Sequence, residues 1–313
     1  MSAAPVQVLE QSRPASERDG SLRRIARLRD QYFRHRPTVS IEKALTLTKV
    51  FKETEGEPTV IRRAKAFKKT CETKTIVIQP DELIVGMSAH IPRAGIFCPE
   101  VAWQWLNEEL DTISTRSQDP YQITDEDKKT LTEVIFPYWK GKSVYEHWIS
   151  QIPAETKEIS VKTGIVDVEI KTQSGPGEIA PGYEDLLKRG FNGIKADAEK
   201  RLRELEYANP EHFDRINFLK AVTLCCEGIT VLAARYAGAA RELAKKERVE
   251  QRRTELERIA EICDWCQQIR PGISGKLVKR YGSRKLDVTS RQTDLPTLQE
   301  DSISTCIHTM KET

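Results

Sequence analysis

The residues best suited to chemistry are few and scattered. Cys263-Asp-Trp-Cys266 is a CxxC pair, a spacing that serves redox exchange at a strand-to-helix turn, or metal binding where a second ligand pair lies nearby. Neither context is present. The pair falls inside or at the end of a helical pattern and reads as two helical thiols. The five histidines, His35, His90, His147, His212 and His308, form no HxxxH or HExxH pattern, which argues against a metal site. The glycines of Ser174-Gly-Pro-Gly and Ala180-Pro-Gly follow no strand at a spacing that cradles phosphate, and no P-loop or dinucleotide fingerprint occurs.

Three segments look unlike ordinary packing. Residues 82–100 run apolar and small residues and Arg93 together in a turn-rich path, and residues 108–121 form a polar connector. Residues 165–183 place Gln173 and Glu178 among residues with permissive backbones. Residues 153–182 carry few helical signals and two Gly/Pro clusters, and a loop that long in a compact domain suggests a functional role. Gln173 and Glu178 are therefore the candidate substrate-binding side chains, with a plain surface turn as the alternative reading.

The elements that must position these segments are mainly helical. A helix opens near Ser21, with Ile25, Leu28, Tyr32 and Phe33 on one face, and Pro37 ends it. The next starts at Ser40-Ile-Glu-Lys, where Ser40 reads as the cap and Glu42 as a first-turn acid. Further helices are expected over about 60–71, 99–110, from Thr124, and over about 183–206, 210–245 and 248–268. Two β-branched runs split by Gln79-Pro80-Asp81 predict a short strand or hairpin over 75–86.

Composition favours a soluble helical protein. Charged residues make up 31% and hydrophobic ones 38% of 313, and no run of eighteen apolar residues occurs. The net charge of +3 comes from interspersed signs, with no basic stripe for nucleic acid. Seven dispersed cysteines suit reduced thiols, and with no apolar leader the expectation is a cytoplasmic protein that binds neither nucleic acid nor membrane. Residues 1–20 read as a loose lead-in. From 269 to 313 the pattern turns arbitrary, with no sustained period of either kind.

The blocks RPTVSIEKALTLTKVF, RRAKAFKKTCETKTIVIQPDELIVG, PRAGIFCPEVAWQWLNEELDTISTR, EDKKTLTEVIFPYWKGKS, PGYEDLLKRGFNGI and EYANPEHFDRINFLKAV resemble the N-terminal region of glycyl radical enzymes, the pyruvate formate-lyase-like family. The likeness runs from about Leu22 to Gln268. It is nearest to the eliminase branch of choline trimethylamine-lyase, isethionate sulfite-lyase and the diol and hydroxyproline dehydratases. The resemblance implies a mainly α fold: the helical region that wraps a ten-stranded α/β barrel, with most of the barrel missing. In the choline enzyme, the segment before the Pro-Gly-Tyr turn gives the substrate a tyrosine and an aspartate. Matched on Pro181-Gly182-Tyr183, this sequence has Ile170 and Glu178 there, which argues against choline itself.

The resemblance also implies radical cleavage of a C–X bond, or formate acetyltransferase-like chemistry, on a small hydroxylated substrate. A separate radical S-adenosylmethionine activating enzyme makes the glycyl radical in such proteins, so that enzyme is the implied partner of a full-length form, along with a homodimer mate. The family's Gly-Cys-Val-Glu and Arg-Val-x-Gly-Tyr segments are missing, and no cysteine of this chain follows a glycine. The expectation is a chain with no catalytic residue, no directly bound cofactor and no activity alone. A non-catalytic helical binding protein and one half of a split enzyme are the alternatives. Back-translated in a shifted frame, PGISGKLVKRYGS permits Arg-Asn-Phe-Trp-Glu-Ala-Gly-Gln-Ala-Val-Trp-Phe, a continuation in the family's style, so a frameshift near Arg270 is expected. With the barrel missing, apolar faces around Trp103, Trp105 or Ile229 should be exposed.

Overall fold

The long 3.6-residue periods become helices that pack around one central helix. The structure is a computed structural model, and it describes residues 15–163 and 182–267. In chain order the longer helices are α1 (Ala15–Arg34), α2 (Glu42–Glu53), α3 (Thr59–Thr73), α4 (Gln104–Glu109), α5 (Asp125–Thr130), α6 (Phe136–Trp139), α7 (Val144–Gln151), α8 (Ala154–Thr163), α9 (Tyr183–Arg203), α10 (Phe213–Lys246) and α11 (Glu250–Gln267). A π-helical turn, Leu131–Ile135, joins α5 to α6, and a 3-10 turn, Pro210–His212, leads into α10.

Helix α10 is the axis of the fold, packed along its length by α3, α9 and α11. Ala221 and Cys225 meet Ile61 and Ala64 of α3, Leu219, Val222 and Cys226 meet Ala198 of α9, and Tyr236, Ala237 and Ala240 meet Leu256, Ile259 and Cys263 of α11. With its preceding turn, α10 is the one helix among the described residues long and apolar enough to cross a membrane by length and composition. Here α3, α9 and α11 cover part of its apolar surface. Gly228 lets α3 come close, since a Cβ there would lie 3.0 Å from the Lys68 Cα.

The largest core lies on the other side of α2. Leu47, Val50 and Phe51 meet Phe97, Leu106, Leu131, Ile135, Phe136 and Trp139. Two three-residue parallel strands, β1 (Thr38–Ser40) and β2 (Ala94–Ile96), close its edge, pairing Thr38 with Ala94 and Ser40 with Ile96. Ser143 and Glu146 form a reciprocal capping box at α7, and Glu146 also accepts from the Trp103 indole at 3.2 Å. Burial works to raise the Glu146 pKa, but the donors from Gly141, Ser143 and Trp103 outweigh it and hold the carboxyl below its ordinary range.

Several expectations are corrected. Residues 75–86 form no strand or hairpin; only the turn is as expected, with the Glu82 N–H donating to the Gln79 carbonyl at 3.1 Å. Ile76, Ile78 and Val85 instead pack on the cluster between α10 and α11, so the β-branched run is an extended strap and not a ladder. Helix side chains hold it: Arg252 donates to the strap's Gln79 and Glu82 carbonyls at 3.0 and 2.8 Å, and Arg235 donates to the Cys71 and Lys74 carbonyls at the end of α3, where the strap begins. Ser40 does not cap α2, whose N-cap is Ile41; Ser40 is buried in β1 and its carbonyl accepts from Phe97 N–H. The helix expected from residue 99 begins only at Gln104, and the loop expected over 153–182 opens instead with helix α8, Ala154–Thr163.

Exposure also falls elsewhere than expected. Trp103 and Trp105 pack half-buried against the main core, and Ile229 is half-buried in α10. The face assigned to α1 is split: Leu28 and Tyr32 are half-buried, while Ile25 and Phe33 are 60% and 62% exposed.

Candidate functional site

Gln173 and Glu178 lie outside the described residues, as do the 269–313 segment and His308. Helix α9 opens at Tyr183, a few residues after Glu178 in the chain. Gly182 caps α9, and its carbonyl accepts from the Leu186 N–H at 3.2 Å. Gly190 then interrupts the helix at φ 64°, a conformation open to glycine and strained for other residues. The interruption brings Arg189 back onto Asp197 of the same helix, where the two form an ion pair.

Between α9 and α10 this leaves a small cavity of ≈ 100 Å³. Its floor is apolar, from Ile194, Phe218, Leu219 and Val222, and Arg189, Arg201 and Arg215 stand at its rim with Asp197. Arg201 and Arg215 have no carboxylate partner among the described residues. Guanidinium groups over an apolar floor can hold an anion, but the cavity offers no thiol, histidine or second carboxylate to drive a reaction. These arginines were not singled out in the sequence, where they read as surface charge; Gly190 within a helical run was the available signal.

The 82–100 segment is a structural junction. Arg93, at φ 59°, lays its guanidinium over the rings of Tyr32 and Phe33 and donates to the His35 carbonyl. His90 Nδ1 lies 3.8 Å from Glu42, whose carboxylate also accepts from Thr75 N–H and hydroxyl. Cys98-Pro99-Glu100 has the C-x-E spacing of the family's catalytic segment, but Phe97 precedes it. The Lys43 ammonium sits between the pair, 3.4 Å from Cys98 Sγ and 4.0 Å from Glu100. In the 108–121 connector, Arg116 donates to Glu109 and to the Asp119 carbonyl, which fixes a turn at left-handed Asp119. Burial, with help from the nearby Asp119 charge, raises the Tyr121 phenol.

The CxxC is likewise structural in its described half. Cys263 is buried in α11 against the Tyr236 cluster. Among the described residues no group of three or more His, Cys, Asp or Glu side chains is placed to hold a metal ion.

A family model for pyruvate formate lyase-like proteins matches residues 15–271. The chain belongs to the pyruvate formate lyase-like family. The resemblance read from the sequence blocks to glycyl radical enzymes is borne out, and with it the mainly α character of this region. An isethionate sulfite-lyase from Desulfovibrio desulfuricans is 36% identical over 245 residues, covering 76% of this chain and 30% of that one. Among solved structures, the glycerol-bound B12-independent glycerol dehydratase from Clostridium butyricum superimposes with a TM-score of 0.74 at 36% identity, covering 78% of this chain and 31% of that one. A glycyl radical enzyme from Archaeoglobus fulgidus gives 0.69 at 34% identity, covering 74% and 29%. The chain spans about a third of the length of the relatives it matches.

Proposed function

We propose that this chain is the helical N-terminal part of a glycyl radical lyase or dehydratase that cleaves a C–X bond of a small hydroxylated substrate, and that it is inactive alone. The observation that supports the reading is the family match over residues 15–271 together with relatives named for such cleavages, about a third of whose length is covered. Isethionate and glycerol are the first substrates to consider. Both carry a hydroxyl beside the carbon that loses its substituent.

The residues of this chain do not fit the radical chemistry. A glycyl radical, when installed by a radical S-adenosylmethionine enzyme, supplies the hydrogen-abstracting power, which the family relays through a cysteine that follows a glycine. No cysteine here follows one. Cys71, Cys225, Cys226 and Cys263 are buried in helix packing, and Cys98 is occupied with Lys43. The proposed role of this region is therefore architectural: it frames a reaction centre, with Gln173 and Glu178 as proposed contacts to substrate hydroxyl groups. A cytoplasmic location suits that chemistry.

Sequencing the gene from the Cys263 codon downstream tests the reading. The expected result is a frame, restored by one inserted or deleted base or opened separately, that encodes a Gly-Cys-x-Glu segment and a C-terminal glycine loop. A downstream region with neither would overturn it in favour of a non-catalytic binding protein.

A further inference from the structure

A thiol, an amine and a carboxylate meet where strand β2 passes the start of α2. Cys98 is the one thiol among the described residues that is half-buried and not buried, and the Lys43 Nζ donates to its Sγ at 3.4 Å. Backbone fixes both ends of that contact. Ser40 pairs with Ile96, and its carbonyl accepts from the Phe97 N–H at 3.1 Å, so Cys98 leaves the strand beside the first turn of α2, where Lys43 stands. The Cys98 carbonyl then accepts from the Val101 and Ala102 N–H groups at 3.1 and 3.4 Å, and Pro99 is fully buried. Glu100 completes the cluster. Its Oε1 lies 4.0 Å from the Lys43 Nζ, and its Oε2 is buried with no hydrogen-bond partner among the described residues. A buried carboxylate oxygen left without a donor costs stability, and protonation would relieve that cost. The ammonium beside it carries the proton.

We propose that Cys98 and Lys43 are a redox modification site: on oxidation by a peroxide, the lysine nitrogen captures the cysteine sulfur in a covalent S–N cross-link, with Glu100 as the proton acceptor. The Cys98 sulfur attacks hydrogen peroxide, the O–O bond breaks, and a sulfenic acid and one water form. Sulfur is oxidised by two electrons and the peroxide is reduced by two. The Lys43 ammonium gives a proton to Glu100, and the freed Nζ lone pair attacks Sγ. The S–O bond then breaks, and the departing hydroxide leaves as water with the second proton that the nitrogen gives up. Sulfenic acids condense with a nearby nitrogen in this way, and a thiol reductant reverses the product to thiol and amine. The contact already places nitrogen against sulfur, so capture needs little rearrangement and competes with further oxidation to the irreversible sulfinic acid. The link would staple α2 to the end of β2 across 55 residues of chain. All three reacting groups belong to this chain, and the capture is independent of the proposed radical chemistry.

Mass spectrometry of the full chain, treated with hydrogen peroxide and then digested, tests it. The expected result is a joined pair of peptides carrying Lys43 and Cys98, about 2 Da lighter than their sum and separated again by a thiol reductant. Lys43→Arg keeps a cation at the sulfur but supplies no nucleophilic nitrogen. That variant should give no joined peptide, and trapping of its Cys98 sulfenic acid by dimedone should rise about fivefold. Glu100→Gln should slow cross-linking about tenfold at neutral pH, and the gap should close as pH rises toward about 10.4, where a lysine sheds its proton unaided. Circular dichroism before oxidation should be the same for both variants and the wild type. A wild-type chain oxidised at Cys98 with Lys43 still free, or sulfenic acid trapping indifferent to Lys43→Arg, would overturn the proposal. A Glu100→Gln rate equal to wild type at neutral pH would overturn the proton-acceptor role.

Discussion

The Trp139 indole Nε1–H donates to the Thr48 hydroxyl at 2.9 Å inside the main core, and that hydroxyl donates in turn to the Ala44 carbonyl at 2.7 Å. Both side chains are buried. One hydroxyl therefore satisfies an indole that would otherwise be orphaned between α2 and α6. Thr48→Val keeps the volume and removes the acceptor, leaving a buried N–H without a partner. The expected loss is about 1–3 kcal/mol in urea unfolding. In a Trp139→Phe background the same substitution should lose much less, because no indole is left to satisfy. Equal losses in both backgrounds would show that the pair is not coupled.

Arg252 ties the strap down. Only 13% exposed, it donates to the Gln79 and Glu82 carbonyls from the first half of α11 and pairs with Glu255. Arg252→Met should speed amide hydrogen exchange across residues 75–86 while leaving α10 protected. Arg252→Lys should restore little of it, because one ammonium cannot span two carbonyls as a guanidinium fork does. Unchanged exchange in the strap would contradict this role.

Gly228→Ala sets two effects against each other. Alanine gains about 1 kcal/mol of helix propensity over glycine. Its Cβ would come 3.0 Å from the Lys68 Cα and 3.5 Å from Cys71 Sγ, and the nearer contact is backbone that can move only by parting α3 from α10. Overpacking of this kind typically costs about 1–3 kcal/mol, so the variant should be less stable. A more stable variant would mean that the α3–α10 contact yields easily.

Glu227 joins three helices. Its carboxylate accepts from Lys68 of α3 at 2.7 Å and lies 2.9 Å from Lys195 of α9. The hydrogen bonds from Lys68 and then Lys195 hold its pKa below the ordinary carboxylate value, with burial opposing. A carboxyl depressed in the folded state adds stability above its unfolded pKa of about 4.3 and loses it as pH falls through the folded value. The stability difference between wild type and Glu227→Gln should be constant at neutral pH and shrink below about pH 4. A gap that stayed constant into acid would contradict the assignment.

At the alkaline end Tyr236 takes over. Burial first, then the nearby Glu82 charge, pushes its phenol up to about 12. A group raised in the folded state contributes stability below its unfolded pKa of about 10 and loses it as pH rises through the folded value. Stability should therefore fall between about pH 10 and 12, and Tyr236→Phe should flatten that fall. An unaltered alkaline limb in the variant would place the titrating group elsewhere.

Periodicity and caps were the legible part of the sequence. The runs along α2, α3, α10 and α11 read as helices because their apolar residues repeat at helical spacing, and Thr124 was recognisable as a cap whose hydroxyl accepts from the Asp127 N–H. The strap was misread because Ile76, Ile78 and Val85 look like strand residues until α10 and α11 supply another apolar surface. Arg252, whose bonds stand in for a ladder's, lies more than 150 residues away, beyond any local pattern. Strands β1 and β2, at three residues each, are too short to show alternation. The Arg189, Arg201 and Arg215 rim depends on the break at Gly190, and so on backbone geometry more than residue type. Ser40 has the right chemistry for a cap, but pairing with β2 claimed its backbone first.

The most direct test of the central claim is electron paramagnetic resonance of the purified chain. The sample is incubated without oxygen with a radical S-adenosylmethionine activating enzyme, S-adenosylmethionine and reductant, then assayed with isethionate and glycerol. The account predicts no glycyl radical and no released sulfite or aldehyde from this chain alone. A glycyl radical signal together with turnover would contradict it.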